Sequence, residues 1–334
     1  MRAGVADRPA VLDGGMGQLL ADEATAMADG LWAAGVAARS PELVRSIHQQ
    51  YLQAGADIIT TATYQASASG YIAAGIAANN IAAQHAMAAA IQLAVDARNR
   101  HMDSSQTTRP LVAVSLGSIG ATLGNSSEYT GDFGMSEQLV YEFHMQRLKM
   151  VAQCLQTSQL RYQVDLLAFE TIPSLAEARA IIGALSNIAE LPPAWISFTT
   201  LSEDCLGSGE PIEPAVEMAG SSTGICAVGF NCFPQHVASA LVTRAKKVTE
   251  KPIICYPNGQ AWSGSLEDWN DPSNRVLPAI FAAEAQRWAE CGAAVVGGCC
   301  RTTPAHIREV AKVCGGELTA AWHNITSIQP DDAE

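Results

Sequence analysis

The chain has 334 residues, enough for one large core or two domains, and its 33 acidic against 20 basic side chains give a net charge of -13. That charge opposes binding to nucleic-acid phosphates and to anionic membrane surfaces, and no run of Lys and Arg offsets it. No apolar stretch is long enough to span a bilayer, and the arginines within Met1 to Pro9 are not followed by an apolar segment, so a soluble cytoplasmic protein without a signal peptide is expected.

Eight short β-rich runs recur along the chain: Ala10 to Asp13, Ala56 to Thr61, Leu111 to Leu116, Val164 to Phe169, Trp195 to Thr199, Ile225 to Phe230, Pro252 to Tyr256 and Ala293 to Val296. They are nearly continuously apolar, as strands buried on both faces are. Helical patterns lie between them. Ser40-Pro41-Glu42 supplies an N-cap with proline at the first helical position, and Leu43, Val44, Ile47, Tyr51 and Leu52 keep helical spacing until Gly55. Asn79 to Arg100 is alanine-rich and long. Ser136 to Leu155, Ser174 to Ile188, Pro234 to Val248, Ala279 to Cys291 and Pro304 to Val313 complete the set.

Alternating strands and helices predict an α/β fold with a parallel sheet, and eight units predict closure into a (β/α)8 TIM-type barrel with extended βα loops. Such a barrel needs about 250 residues, so a single domain over 1–334 is expected, with flexible ends at 1–9 and 326–334. The excess length falls in two connections, Gly117 to Met135 and Asn258 to Asn274. Both are βα loops, which gather at the C-terminal face of a barrel, where active sites are built.

The residues just past the strands are therefore the place to look for chemistry. Strand one ends in Asp13-Gly14-Gly15, strand four in Glu170-Thr171, strand six in Asn231-Cys232, strand seven in Pro257-Asn258-Gly259 and strand eight in Cys299-Cys300. Nine cysteines are too few and too odd in number for a disulfide scaffold, and Cys154, Cys226, Cys255, Cys291 and Cys314 have the apolar neighbours of core residues. Adjacent cysteines seldom bond to each other, because a vicinal disulfide is strained. Strand seven alone separates strands six and eight, so Cys232 can approach Cys299 and Cys300 across the barrel mouth. Three thiolates leave the fourth tetrahedral position of Zn2+ open, as in a catalytic site. The alternative is that Gly297-Gly298 is a tight turn and the cysteines are packing residues. His48 and His144 lie in helical patterns and are read as ordinary hydrogen-bonded residues rather than ligands.

Gly297-Gly298-Cys299-Cys300-Arg301-Thr302-Thr303-Pro304 and Gly229-Phe230-Asn231-Cys232 resemble the zinc signature of the homocysteine S-methyltransferase family. Leu12-Asp13-Gly14-Gly15, Thr61-Ala62-Thr63-Tyr64-Gln65-Ala66, Phe169-Glu170-Thr171 and Tyr256-Pro257-Asn258 extend the resemblance in family order. Ser127-Glu128-Tyr129-Thr130-Gly131-Asp132 looks most like the branch that uses S-methylmethionine, and the length is too short for the folate and cobalamin modules of methionine synthase.

The resemblance implies a methionine-forming enzyme whose small-molecule substrates are homocysteine and a sulfonium methyl donor. Cys232, Cys299 and Cys300 would hold Zn2+, and the glycines before the pair would let the backbone bend so that both thiols face one metal. Glu170 would receive the homocysteine ammonium, with Asp13 and Asn231 in the same substrate pocket. Local alternatives are a loop cap for Asp13 and a helix-dipole partner for Glu170. Tyr129, Phe133 and Trp262 are candidate aromatic partners for a cationic donor. One departure is Gly259-Gln260 after Asn258, where related sequences often carry Glu at the second position. Alternatives remain: S-adenosylmethionine or betaine as donor, selenocysteine as acceptor, or a zinc- or redox-sensing barrel without catalysis.

Overall fold

Eight strands form one parallel sheet: β1 (Ala10–Val11), β2 (Ile58–Thr60), β3 (Leu111–Gly117), β4 (Leu166–Ile172), β5 (Ala194–Phe198), β6 (Ile225–Pro234), β7 (Ile253–Asn258) and β8 (Ala293–Val296). In the computed structural model, which describes residues 7–20, 30–104, 108–157, 159–260, 271–314 and 317–318, each strand pairs with its sequence neighbour. β8 returns to β1 with Val295 opposite Ala10. A parallel bridge between Leu12 and Ile58 closes the ring, with the Asp13 N–H donating to the Ile58 carbonyl at 3.0 Å. This is the (β/α)8 TIM-type barrel that the alternation of elements predicts.

A helix follows each strand: α1 (Pro41–Gln53), α2 (Asn80–Ser104), α3 (Glu137–Thr157), α4 (Leu175–Leu185), α5 (Ile212–Ser221), α6 (Ala238–Ala245), α7 (Pro278–Glu290) and α8 (Pro304–Val313). α5 is absent from the helices legible in the sequence. Its prolines, Pro211 and Pro214, fall at the N-cap and in the first turn, where the backbone N–H groups have no intrahelical partner to lose. β6 also runs on to Pro234, so that α6 starts at Ala238 rather than at Pro234. Among the described residues no helix is long and apolar enough to cross a membrane.

Side chains alternate along each strand between the barrel interior and the helix layer. Trp195 occupies the interior among small neighbours, Ala113, Ala168 and Ala227, while Val114, Leu167 and Phe230 face outward into the larger helix-covered core. The same period of two that puts Leu166 and Ala168 inside puts Glu170 inside as well, one step higher. At this level the interior turns polar, and the site begins. Gly229 lies on β6 where a Cβ would sit 1.9 Å from the Ile254 carbonyl oxygen. Gly229→Ala is therefore expected to force β6 from β7 and cost about 3 kcal/mol, read as a lower urea midpoint at unchanged slope.

Candidate metal and substrate site

The three cysteines singled out in the sequence converge. Their sulfurs all lie within 4.8 Å of one another, and those of Cys232 and Cys300 are 3.6 Å apart. A tetrahedral ion with metal–sulfur bonds of about 2.3 Å needs sulfurs roughly 3.8 Å apart, so this donor set fits a four-coordinate metal with one position left over. Among the described residues no histidine or carboxylate joins the cluster. His144 instead meets Glu177 at 2.9 Å, and His48 is buried in α1, where burial pushes its pKa down to about 3 and keeps it neutral.

Local backbone irregularities aim these groups. The β4–β5 register shifts between Phe169 and Ile172, and the β6–β7 register shifts between Asn231 and Pro234. Within those two bulges Thr171 has φ +59° and Cys232 φ +56°. A β-branched residue rarely takes a positive φ, and such strain persists only where the surroundings hold it. Here Asn231 does the holding: its Oδ1 accepts from the Thr171 N–H at 2.7 Å and its Nδ2 donates to Thr171 Oγ1 at 2.8 Å. The same Nδ2 lies 3.8 Å from Cys299 Sγ. Asn231 thus ties the β4 bulge to the thiol cluster.

Gly297 and Gly298 contribute by close packing and not through a left-handed bend. Neither has a positive φ; a Cβ would lie 2.6 Å from Leu12 Cβ at Gly297 and 2.4 Å from Thr302 Oγ1 at Gly298. That packing seats the β8 turn against β1, with the Gly298 N–H donating to the Asp13 carbonyl at 3.1 Å and the Cys299 N–H to the Pro257 carbonyl at 2.9 Å. Hydrogen bonds from Cys232 and Cys299 hold Cys300 well below the usual thiol range, whereas donation to Cys232 and Cys300, with burial, holds Cys299 well above it.

Asp13 and Glu170 are both buried at this level of the barrel. Asp13 Oδ2 accepts from the Thr60 N–H at 2.7 Å, and Glu170 accepts from Ser115 Oγ and from Tyr256. Burial pushes Glu170 up to about 7 against those hydrogen bonds. It also lifts Asp13 well above the carboxylate range; the Thr60 hydrogen bond offsets this only in part, and the Glu170 charge adds to the rise. Both carboxyls are shielded from water and neither has a basic side chain as a hydrogen-bonding partner; Arg147 acts on Glu170 only through its charge.

Several neighbours were not legible as site residues. Thr171 and Tyr256 sit mid-motif, and Thr60 and Ser115 are ordinary strand residues whose inward direction only the register discloses. Tyr129 OH lies 3.4 Å from Cys232 Sγ, whereas Phe133 packs near Ile119, Val140 and Ala180. Trp262 lies outside the described residues, as does the connection Asn258 to Asn274 between 260 and 271.

The sequence model described as homocysteine S-methyltransferase matches residues 10–314. Homocysteine S-methyltransferase 1 of Brassica oleracea var. italica is 37% identical over 91% of this chain and 92% of its own length. A selenocysteine methyltransferase of Astragalus bisulcatus is 35% identical over 92% and 93% of the two chains. Among solved structures, the metallated form of the homocysteine methyltransferase MmuM from Escherichia coli superposes with a TM-score of 0.77 at 31% identity, covering 92% of this chain and 96% of that one.

Proposed function

Because the chain belongs to the homocysteine S-methyltransferase family, we propose that it carries a methyl group from a sulfonium donor, S-methylmethionine in preference, to homocysteine bound at a zinc ion on Cys232, Cys299 and Cys300. The observation that carries this reading is the convergence of three thiols with one coordination position left over, beside two buried carboxyls. Zinc, when bound, supplies the positive charge that ionises the substrate thiol near neutral pH and fixes its sulfur.

The chain's own residues supply the rest. Glu170 and Asp13 take the homocysteine ammonium, which aims the thiol at the open position. Asn231 Nδ2 steadies Cys299 and keeps the strained Thr171 in place. The homocysteine thiolate attacks the donor methyl carbon in line; a carbon–sulfur bond forms to give methionine, and the donor's bond breaks with its electron pair going to the leaving thioether. With S-methylmethionine that thioether is a second methionine. Anion and cation neutralise one another along this path, so a dry site raises reactants above a less polar transition state. Burial of Cys232 and Asn231 at 4% and 1% exposure fits that requirement.

The test is a donor panel on zinc-loaded protein, with methionine as readout. Methionine is expected from S-methylmethionine with homocysteine and not from either alone. Turnover with betaine but not with any sulfonium would overturn the donor assignment, and full activity in metal-free protein would overturn the zinc site. Selenocysteine in place of homocysteine is expected to react too, its selenolate forming more readily than a thiolate.

A further inference from the structure

A third carboxylate, Glu128, stands next to Tyr129, whose hydroxyl lies 3.4 Å from Cys232 Sγ. Glu128 sits in the short 3-10 turn Ser127–Tyr129 of the loop after β3. Its Oε2 is shielded from solvent and has no hydrogen-bond partner. It lies within electrostatic reach of Cys300, and Tyr64 feels both Glu128 and Cys232. It is not among the groups whose ligand atoms converge within 4.8 Å, so it is no fourth metal ligand.

The loop that carries Glu128 is anchored at its start. Ser118 Oγ and the Ile119 N–H donate to buried Glu177 on α4 at 2.8 and 2.7 Å. At Gly120 a Cβ would lie 2.3 Å from the Glu128 nitrogen, and at Gly207 one would lie 2.4 Å from the Tyr129 carbonyl oxygen. The backbone of the turn is thus packed closely against two glycines, which fixes where the Glu128 side chain starts. A carboxylate oxygen shielded from water without a hydrogen-bond partner costs free energy, and a ligand cation is a natural partner for it.

We propose that Glu128, flanked by Tyr64 and Tyr129, is the counter-charge for the sulfonium of the methyl donor and sets the preference for a cationic donor over its neutral product. This rests on the sulfonium-donor reading above. The two acidic subsites divide the two substrates. Asp13 and Glu170 stand at the ends of β1 and β4, whereas Glu128 stands on the loop after β3. Tyrosine faces add cation–π attraction to the same charge. Once the methyl has moved, the donor sulfur is neutral and Glu128 loses its partner, which favours release of the thioether. Because the sulfonium charge is greatest before transfer, Glu128 contributes to binding rather than to the barrier.

The experiment compares Glu128→Gln with wild type in zinc-loaded protein. Calorimetry without homocysteine gives the Kd of S-methylmethionine, and displacement gives that of methionine, which differs by one methyl and one charge. Glu128→Gln is expected to weaken S-methylmethionine about tenfold and methionine less than about twofold. Zinc content, the homocysteine KM and kcat at saturating donor should stay within about twofold, and Glu128→Asp should restore part of the preference. Equal weakening of both ligands would show that Glu128 holds the ammonium instead and would overturn the proposal, as would unchanged donor affinity. Absence of turnover with every sulfonium in wild type would instead overturn the donor reading itself.

Discussion

Cys299→Ala is expected to abolish zinc binding and methyl transfer together. The substitution leaves two thiols, and a catalytic zinc site needs three protein ligands to keep one position for substrate. Metal analysis should fall from about one zinc per chain to near none. Two effects are then lost at once. A free thiol with a pKa near 8.5 is only a few per cent ionised at pH 7, and an untethered sulfur loses its alignment with the donor methyl; together these lower kcat/KM by on the order of a thousandfold or more. Cys232→Ala should behave in the same way. Cys255→Ala is the control: Cys255 is fully buried on β7 with its thiol pushed up by burial, and its loss should lower stability while leaving zinc and activity in place. Retention of stoichiometric zinc by Cys299→Ala would remove this cluster as the metal site.

The fold was legible because eight buried strands and their helices write themselves as alternating apolar runs, and a barrel follows from that count with little further information. Cys232 and the Cys299–Cys300 pair are remote in sequence, but the ring topology places β6 and β8 either side of β7, so their approach follows once strand order is known. What the chain does not announce is direction. Ser115 and Thr60 become site residues only through register, which decides that they face Glu170 and Asp13. The bulges at Thr171 and Cys232 are less legible still, because neither position carries the glycine that a positive φ favours. Asn231 is the physical reason the first can exist: its amide satisfies the backbone and hydroxyl groups that the β4 bulge withdraws from the ladder. The Gly297–Gly298 pair shows the opposite case, where glycines that suggest a turn prove to serve close contact with Leu12 and Thr302.

Glu170→Gln should separate binding from stability in opposite directions. In the substrate-free protein burial raises the Glu170 pKa to about 7, above the roughly 4.3 of an unfolded chain. The folded state therefore holds an extra proton between these values. Its stability is greatest below the unfolded pKa and declines as pH rises through the folded one, by up to about 4 kcal/mol for this group alone. Glutamine stays neutral, so the variant should match wild type near pH 4 and exceed it at pH 8 in denaturant melts. Binding should move the other way. The ammonium of homocysteine loses a buried ionic partner, which costs about 3 kcal/mol, on the order of a hundredfold in kcat/KM for homocysteine. A homocysteine analogue without the amino group should lose far less on the same substitution, since it brings no charge for Glu170 to meet. The wild-type carboxylate destabilises the empty barrel above neutral pH because it is held dry, and in the proposed function the homocysteine ammonium is the charge that offsets this. An equal loss with both thiols, or a variant no more stable at pH 8 than wild type, would break that link.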